Sequence, residues 1–151
     1  MANLQNYNGR YCESEYEYAF LSFLEEEGWQ YMSGNSIPRS TKSAVLYADD
    51  MEQFLCKTNA DLTADEIHQI IDRVRLVGAK SEFSTLHTVY GWMVDGVQFT
   101  PQNGRTRMIP LIDFEHPESN IFLAVNQFDV EYTNNGMKET RRPDILLFVN
   151  G

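Results

Sequence analysis

The sequence predicts an α/β (α+β) domain in which helices come first and a mixed sheet follows. Apolar residues recur at helical spacing through much of the first half. Runs in the second half are rich in β-branched and aromatic residues and are bounded by turn signals. Helix signals precede strand signals instead of alternating with them, which is the order of an α+β chain.

Residues 13 to 27 read as an amphipathic helix ended by Gly28, the residue expected just past a helix. Tyr16, Ala19, Phe20, Phe23 and Leu24 form its apolar stripe. At about 100° per residue, Glu17 falls between Phe20 and Leu21 and close to Leu24. Glu13 lies one turn earlier on the same side. A carboxylate inside an apolar arc is expensive unless something pairs with it. Glu25, Glu26 and Glu27 crowd the helix C-terminus, where the dipole disfavours them, and read as a solvated face.

From Trp29 to Lys42 the chain looks irregular, with room for a short strand at 29–32. Helical character returns at 49–57. Thr63-Ala64-Asp65-Glu66 is a capping box, followed by Ile67, Ile70, Ile71 and Val74 on one face, with an end expected near Gly78. Residues 81–94 mix helical spacing with β-branched and aromatic side chains. Strands are then predicted at 105–114, 120–132 and 143–149. His116-Pro117-Glu118-Ser119 and Asn134-Asn135-Gly136 separate them. The alternation Phe128, Val130, Tyr132 suits a sheet with one buried face.

The 151 residues (17.5 kDa) are one domain's worth of chain, and 42% hydrophobic residues allow a real core. No apolar run approaches the ~20 residues of a membrane span. Cys12 and Cys56 form no CxxC and read as reduced thiols of a cytoplasmic protein. A net charge of -10 argues against broad nucleic-acid binding by this chain alone. Positive charge is nonetheless clustered at Arg105 with Arg107 and at Lys138, Arg141 and Arg142. His68, His87 and His116 lack metal-ligand spacing and read as structural; Ser22 and Ser84 lack a nucleophile elbow.

The most telling stretch is Arg141-Arg142-Pro143-Asp144-Ile145-Leu146-Leu147-Phe148-Val149-Asn150-Gly151. A carboxylate after a proline opens an apolar run, and the run closes on Asn-Gly, the strongest short hairpin signal. A further strand is expected after that turn. Hydrolysing a phosphodiester with magnesium needs oxygen ligands, typically one or two carboxylates plus substrate phosphate. Asp144 on a strand and Glu17 on a helix have the chemistry for two such roles. An acid before a strand is more often a turn residue or cap, and a half-buried helix glutamate more often pairs with another side chain.

Glu17 with Leu21, Leu24 and Gly28-Trp29, together with Pro143-Asp144 and Phe148-Val149-Asn150-Gly151, resembles the PD-(D/E)xK nuclease superfamily. Glu13-Ser14-Glu15-Tyr16-Glu17, Asn120–Phe128 and the P-D-x-x-L-F-V-N-G run look like the N-terminal nuclease domain of the restriction (R) subunit of type I restriction–modification enzymes. The resemblance covers about a third of the chain directly. It implies that residues 1–151 are the N-terminal part of an endonuclease domain, cut short of the strand that carries Glu-x-Lys. It implies Asp144 as a direct Mg2+ ligand, Glu17 as the helix acid (Glu13 being the alternative), and Arg141 and Arg142 as DNA phosphate contacts. It further implies DNA, methyltransferase and specificity subunits as partners, with ATP used only by the full-length protein. No GxxxxGK[ST] occurs here, so the motor is expected downstream. Lacking Glu-x-Lys, the chain alone is expected not to cleave DNA. A non-catalytic subunit-docking module with a nuclease-like fold, or a DNA-repair nuclease of the same superfamily, stands as the alternative.

Overall fold

The computed structural model describes residues 13–77 and 82–151. The chain forms two compact units. One comprises the segment up to Val45 together with Phe122–Phe148; the other comprises Leu46–Ile121 with Val149–Gly151.

In the first unit, α1 spans Glu13–Glu26. Gly28 adopts φ +92° and ends the helix. The Trp29 amide donates to the Leu24 carbonyl and the Gly28 amide to that of Glu25, the paired bonds of a Schellman cap. Leu21 and Leu24 are buried, with Trp29 packed beside them. The predicted stripe is corrected here: Tyr16, Ala19, Phe20 and Phe23 are exposed, and of that set only Leu24 is buried. The line that faces inward is Glu17, Leu21, Leu24, spaced i, i+4, i+7.

β1 (Gln30–Ser33) pairs in parallel with β4 (Phe122–Asn126), from Gln30 opposite Leu123 to Ser33 opposite Asn126. β7 (Ile145–Val149) lies on the other side of β4, so the sheet order is β1-β4-β7. Leu123, Ala124, Val125 and Asn126 are all buried, as befits a central strand. Strand β4 does not run on to Tyr132 as predicted. Gln127 takes φ +56°, which breaks the extended backbone, and a separate strand β5 begins at Val130. β5 (Val130–Asn134) pairs with β6 (Met137–Arg141) in an antiparallel hairpin. Asn135 and Gly136 turn it with φ +50° and +80°, the two positive angles of a type I′ turn. Sequence reasoning missed β6 because Met137-Lys138-Glu139-Thr140-Arg141 is largely exposed and carries no apolar alternation.

In the second unit, α2 (Ala48–Thr58) packs on α3 (Ala64–Arg75). The capping box is present as predicted: Glu66 donates its amide to Thr63 Oγ1, and Glu66 Oε2 accepts the Thr63 amide at 2.8 Å. The expected helix end near Gly78 and the start at Ser81 lie outside the described residues; α3 closes at Arg75 and α4 spans Glu82–Asp95. β2 (Val97–Phe99) and β3 (Arg107–Ile109) pair antiparallel. β3 covers three residues of the strand predicted at 105–114, and β2 was not predicted. Met51, Phe54, Leu55, Ile67, Ile70 and Ile71 from the helices meet Val97 and Ile109 from the hairpin in one core. A 3-10 turn at Pro117–Ser119 precedes β4. No helix among the described residues is long and apolar enough to cross a membrane.

Candidate active site

Glu17 is half-buried on the inward line of α1, and its Oε1 accepts a 2.8 Å hydrogen bond from Asn126 Nδ2. Asn126, only 2% exposed, is the last residue of β4. Its own Oδ1 accepts the Tyr31 hydroxyl of β1 at 2.9 Å. The amide orientation follows from the partners, since a carboxylate only accepts and a phenol at neutral pH donates. Burial, then Tyr18, pushes the Tyr31 phenol above its usual value; Glu17 and Glu25 add to this and the Asn126 bond offsets part of it. The carboxylate predicted to be costly in an apolar arc is therefore paired. Asn126 lies in the 120–128 stretch that carries the resemblance but was given no role there, and Tyr31 was not singled out at all. The parallel pairing of β1 with β4 is what joins them.

Asp144 stands in a bend immediately before β7, exposed and without a hydrogen bond or ion pair among the described residues. Two residues earlier, Arg142 reaches back to the segment that follows β4. Its Nε donates to Asp129 Oδ1 at 2.6 Å and its Nη1 to Gln127 Oε1 at 3.2 Å. β7 thus begins where β4 ends. Asp144 and the Glu17–Asn126 pair accordingly lie at the same end of the sheet. Arg141, at the end of β6, donates Nε to the Tyr132 hydroxyl at 2.9 Å, and Tyr132 in turn donates to Glu139 at 2.6 Å. Among the described residues, both arginines of the basic pair therefore hold the protein's own groups, each with one or two of its five N–H donors. The Glu13 side chain lies outside the described residues.

Asp129 joins two cations, accepting Lys42 Nζ at 2.9 Å as well as Arg142. Hydrogen bonding from Arg142, then from Lys42, holds its carboxyl well below the usual carboxylate range. A carboxylate bound more tightly in the folded chain stabilises fully above its unfolded pKa of about 3.9, and that stabilisation fades as pH falls toward the folded value. Asp129→Asn should therefore lower the urea unfolding midpoint at pH 7, with the gap to wild type closing below about pH 4. Midpoints measured at pH 7 and pH 3 check this. A gap of equal size at both would mean that charge plays no part in the contact.

Elsewhere the chemistry is sparse. Among the described residues, no three of His, Cys, Asp and Glu gather in a metal-binding group. His68 meets Glu52 at 3.3 Å and His116 meets Asp113 at 3.7 Å, both at the surface. Cys56 is free and exposed, and Cys12 lies outside the described residues. Glu25, Glu26 and Glu27 are solvated as expected.

In the first unit, a three-stranded α/β sheet flanked by α1 thus has Glu17 from the helix and Asp144 from the turn before β7 toward one end. Residues 10–151 match the family described as type I restriction enzyme R protein N terminus, and the chain belongs to that family. It is 31% identical over 153 aligned residues to the type I restriction enzyme HindI endonuclease subunit of Haemophilus influenzae. That alignment takes in 92% of this chain and 14% of the relative. It is 46% identical over 66 residues to the putative type I restriction enzyme MjaIXP endonuclease subunit of Methanocaldococcus jannaschii, covering 41% of this chain and 6% of that protein. The chain thus spans a small part of the length of these relatives. No solved structure matches it.

Proposed function

We propose that this chain supplies the Asp and helix-Glu portion of a PD-(D/E)xK-type endonuclease site in the R subunit of a type I restriction enzyme, cutting DNA by Mg2+-dependent phosphodiester hydrolysis. The observation that carries this reading is the placement of Glu17 and Asp144 at one end of the sheet, one half-buried and held, the other exposed and unpaired. Their carboxylates are the hard oxygen donors that Mg2+ prefers. When bound, the metal would polarise the phosphoryl group and acidify an attacking water. Asp144 is assigned as a direct ligand, and Glu17 as a ligand directly or through water. Arg141 and Arg142 keep N–H donors available for phosphate, while Arg142 Nε ties the segment before Asp144 to Asp129 and Arg141 Nε holds Tyr132 of the hairpin.

β7 is an edge of the three-stranded sheet, and Asn150 and Gly151 take φ +58° and +78°, angles suited to a type I′ turn. A following strand carrying Glu-x-Lys would pair along β7 and complete the site. The proposed chemistry needs the acid and lysine of that strand as well as Asp144 and Glu17. ATP-driven translocation is assigned to the further length seen in the relatives, and sequence reading to the methyltransferase and specificity subunits, all in the cytoplasm. The competing reading, a non-catalytic docking module, draws on the exposed Phe83, Leu86, Tyr90 and Met93 of α4.

Asp144→Ala in the intact R subunit separates the two. Outer-shell partners of a metal are already worth 10–100-fold, so losing a direct ligand should reduce DNA cleavage at least about 100-fold. ATP hydrolysis and assembly should persist, because Asp144 supports no other described side chain. Retained cleavage would overturn the nuclease reading. Loss of all three activities together would give Asp144 a structural role and favour the docking module.

A further inference from the structure

We propose that Asn126 and Tyr31 are positioning residues for Glu17, fixing its carboxylate so that one oxygen is occupied and the other is presented to a divalent cation. This rests on the reading of Glu17 as a metal-site acid and assigns it a dedicated support. Asn126 is immobilised on two sides. Its backbone carbonyl accepts the Gly34 amide at 2.7 Å, and its side-chain Oδ1 accepts the Tyr31 hydroxyl. Ser33 pairs opposite it in the sheet. The Nδ2 group therefore has a set direction, and Glu17 Oε1 lies 2.8 Å along it.

A glutamate on a helix has three rotatable side-chain bonds, and a cation site gains if that freedom is removed before the metal arrives. A neutral amide suits the task. An arginine or lysine in its place would also orient the carboxylate, but would compete for its charge with the cation. The amide donates one hydrogen bond and leaves the negative charge available. Among the described residues, Glu17 Oε2 carries no hydrogen bond. The relay Tyr31–Asn126–Glu17 joins β1, β4 and α1.

The test is direct binding of Mn2+, as a spectroscopic stand-in for Mg2+, to the intact R subunit, with free Mn2+ read by electron paramagnetic resonance. Asn126→Ala should weaken Mn2+ binding tenfold or more, within the roughly 10–100-fold range of outer-shell partners. Tyr31→Phe should weaken it roughly fivefold, the worth of one neutral hydrogen bond. Neither change should weaken binding further in a Glu17→Gln background, because the relay acts only through Glu17. Tyr31 lies at the partly exposed end of the relay, so Tyr31→Phe decides the matter if Asn126→Ala fails to fold. Wild-type Mn2+ affinity in Tyr31→Phe, with affinity lost in Glu17→Gln, would overturn the positioning role and leave the metal reading standing. Wild-type affinity in Glu17→Gln itself would instead remove Glu17 from the metal site, and with it the reading on which this proposal rests.

Discussion

Replacing Asn150 with alanine is expected to cost the folded chain about 3–5 kcal/mol, a large share of the stability of a domain this size. Asn150 is fully buried, and its side chain is bonded at both ends. Oδ1 accepts the Ile121 amide at 2.7 Å; Nδ2 donates to the Leu111 carbonyl at 2.9 Å and to Asn120 Oδ1 at 2.8 Å. Alanine would strand the Ile121 N–H and the Leu111 carbonyl, each at about 1–3 kcal/mol. It would also have to adopt φ +58°, a left-handed conformation that asparagine tolerates far better. Equilibrium urea unfolding measures the loss. A change below about 1 kcal/mol would show that water can replace these bonds.

Gly34→Ala is expected to be nearly as damaging, at about 2–3 kcal/mol, although it adds a single methyl group. A Cβ at this position would stand 2.7 Å from Phe128 Cα and 2.8 Å from both the Phe128 nitrogen and the Asn126 carbonyl oxygen. These are backbone atoms and cannot swing aside as a side chain would. Relief requires β1 and β4 to separate where the Gly34 amide donates to Asn126. Gly28→Ala is the control. Its φ of +92° favours glycine, whereas nothing lies within 4 Å of the added carbon, so only the conformational cost of about 1 kcal/mol should appear. Thermal unfolding of the two variants side by side gives the comparison. Equal losses would mean that the close approach at Gly34 relaxes at little cost and that strand packing does not require glycine there.

The parts of the fold that could be read in advance depend on neighbours a few positions away. Gly28 ends α1 because only the local backbone has to turn left-handed. Thr63 and Glu66 cap α3 across three residues. The Ile67, Ile70, Ile71 face of α3 was legible because its opposite face is polar. Where both faces resemble each other, the reading failed. Helix α1 is apolar or aromatic around much of its circumference, so periodicity chose the arc of Tyr16, Phe20 and Phe23, whereas the sheet takes Leu21 and Leu24. Strand β6 is polar on both faces and is held by its turn and by pairing with β5.

The candidate site divides the same way. Asp144 announces itself through proline before it and an apolar run after it, and Glu17 through its place among apolar helix positions. The resemblance to type I restriction subunits drew on such short stretches, and the family match extends it across residues 10–151. The partner of Glu17, by contrast, lies 109 positions along the chain, and Tyr31 and Asn126 are 95 apart. Asn150 drew notice as a turn residue, while its buried side chain binds groups 29 to 39 residues away. Caps, turns and isolated acids are specified by bonds that close within a turn of chain. Which helix face is covered, and which amide meets which carboxylate, depend on strand pairings that close loops of tens to a hundred residues. That information exists only once the sheet has formed.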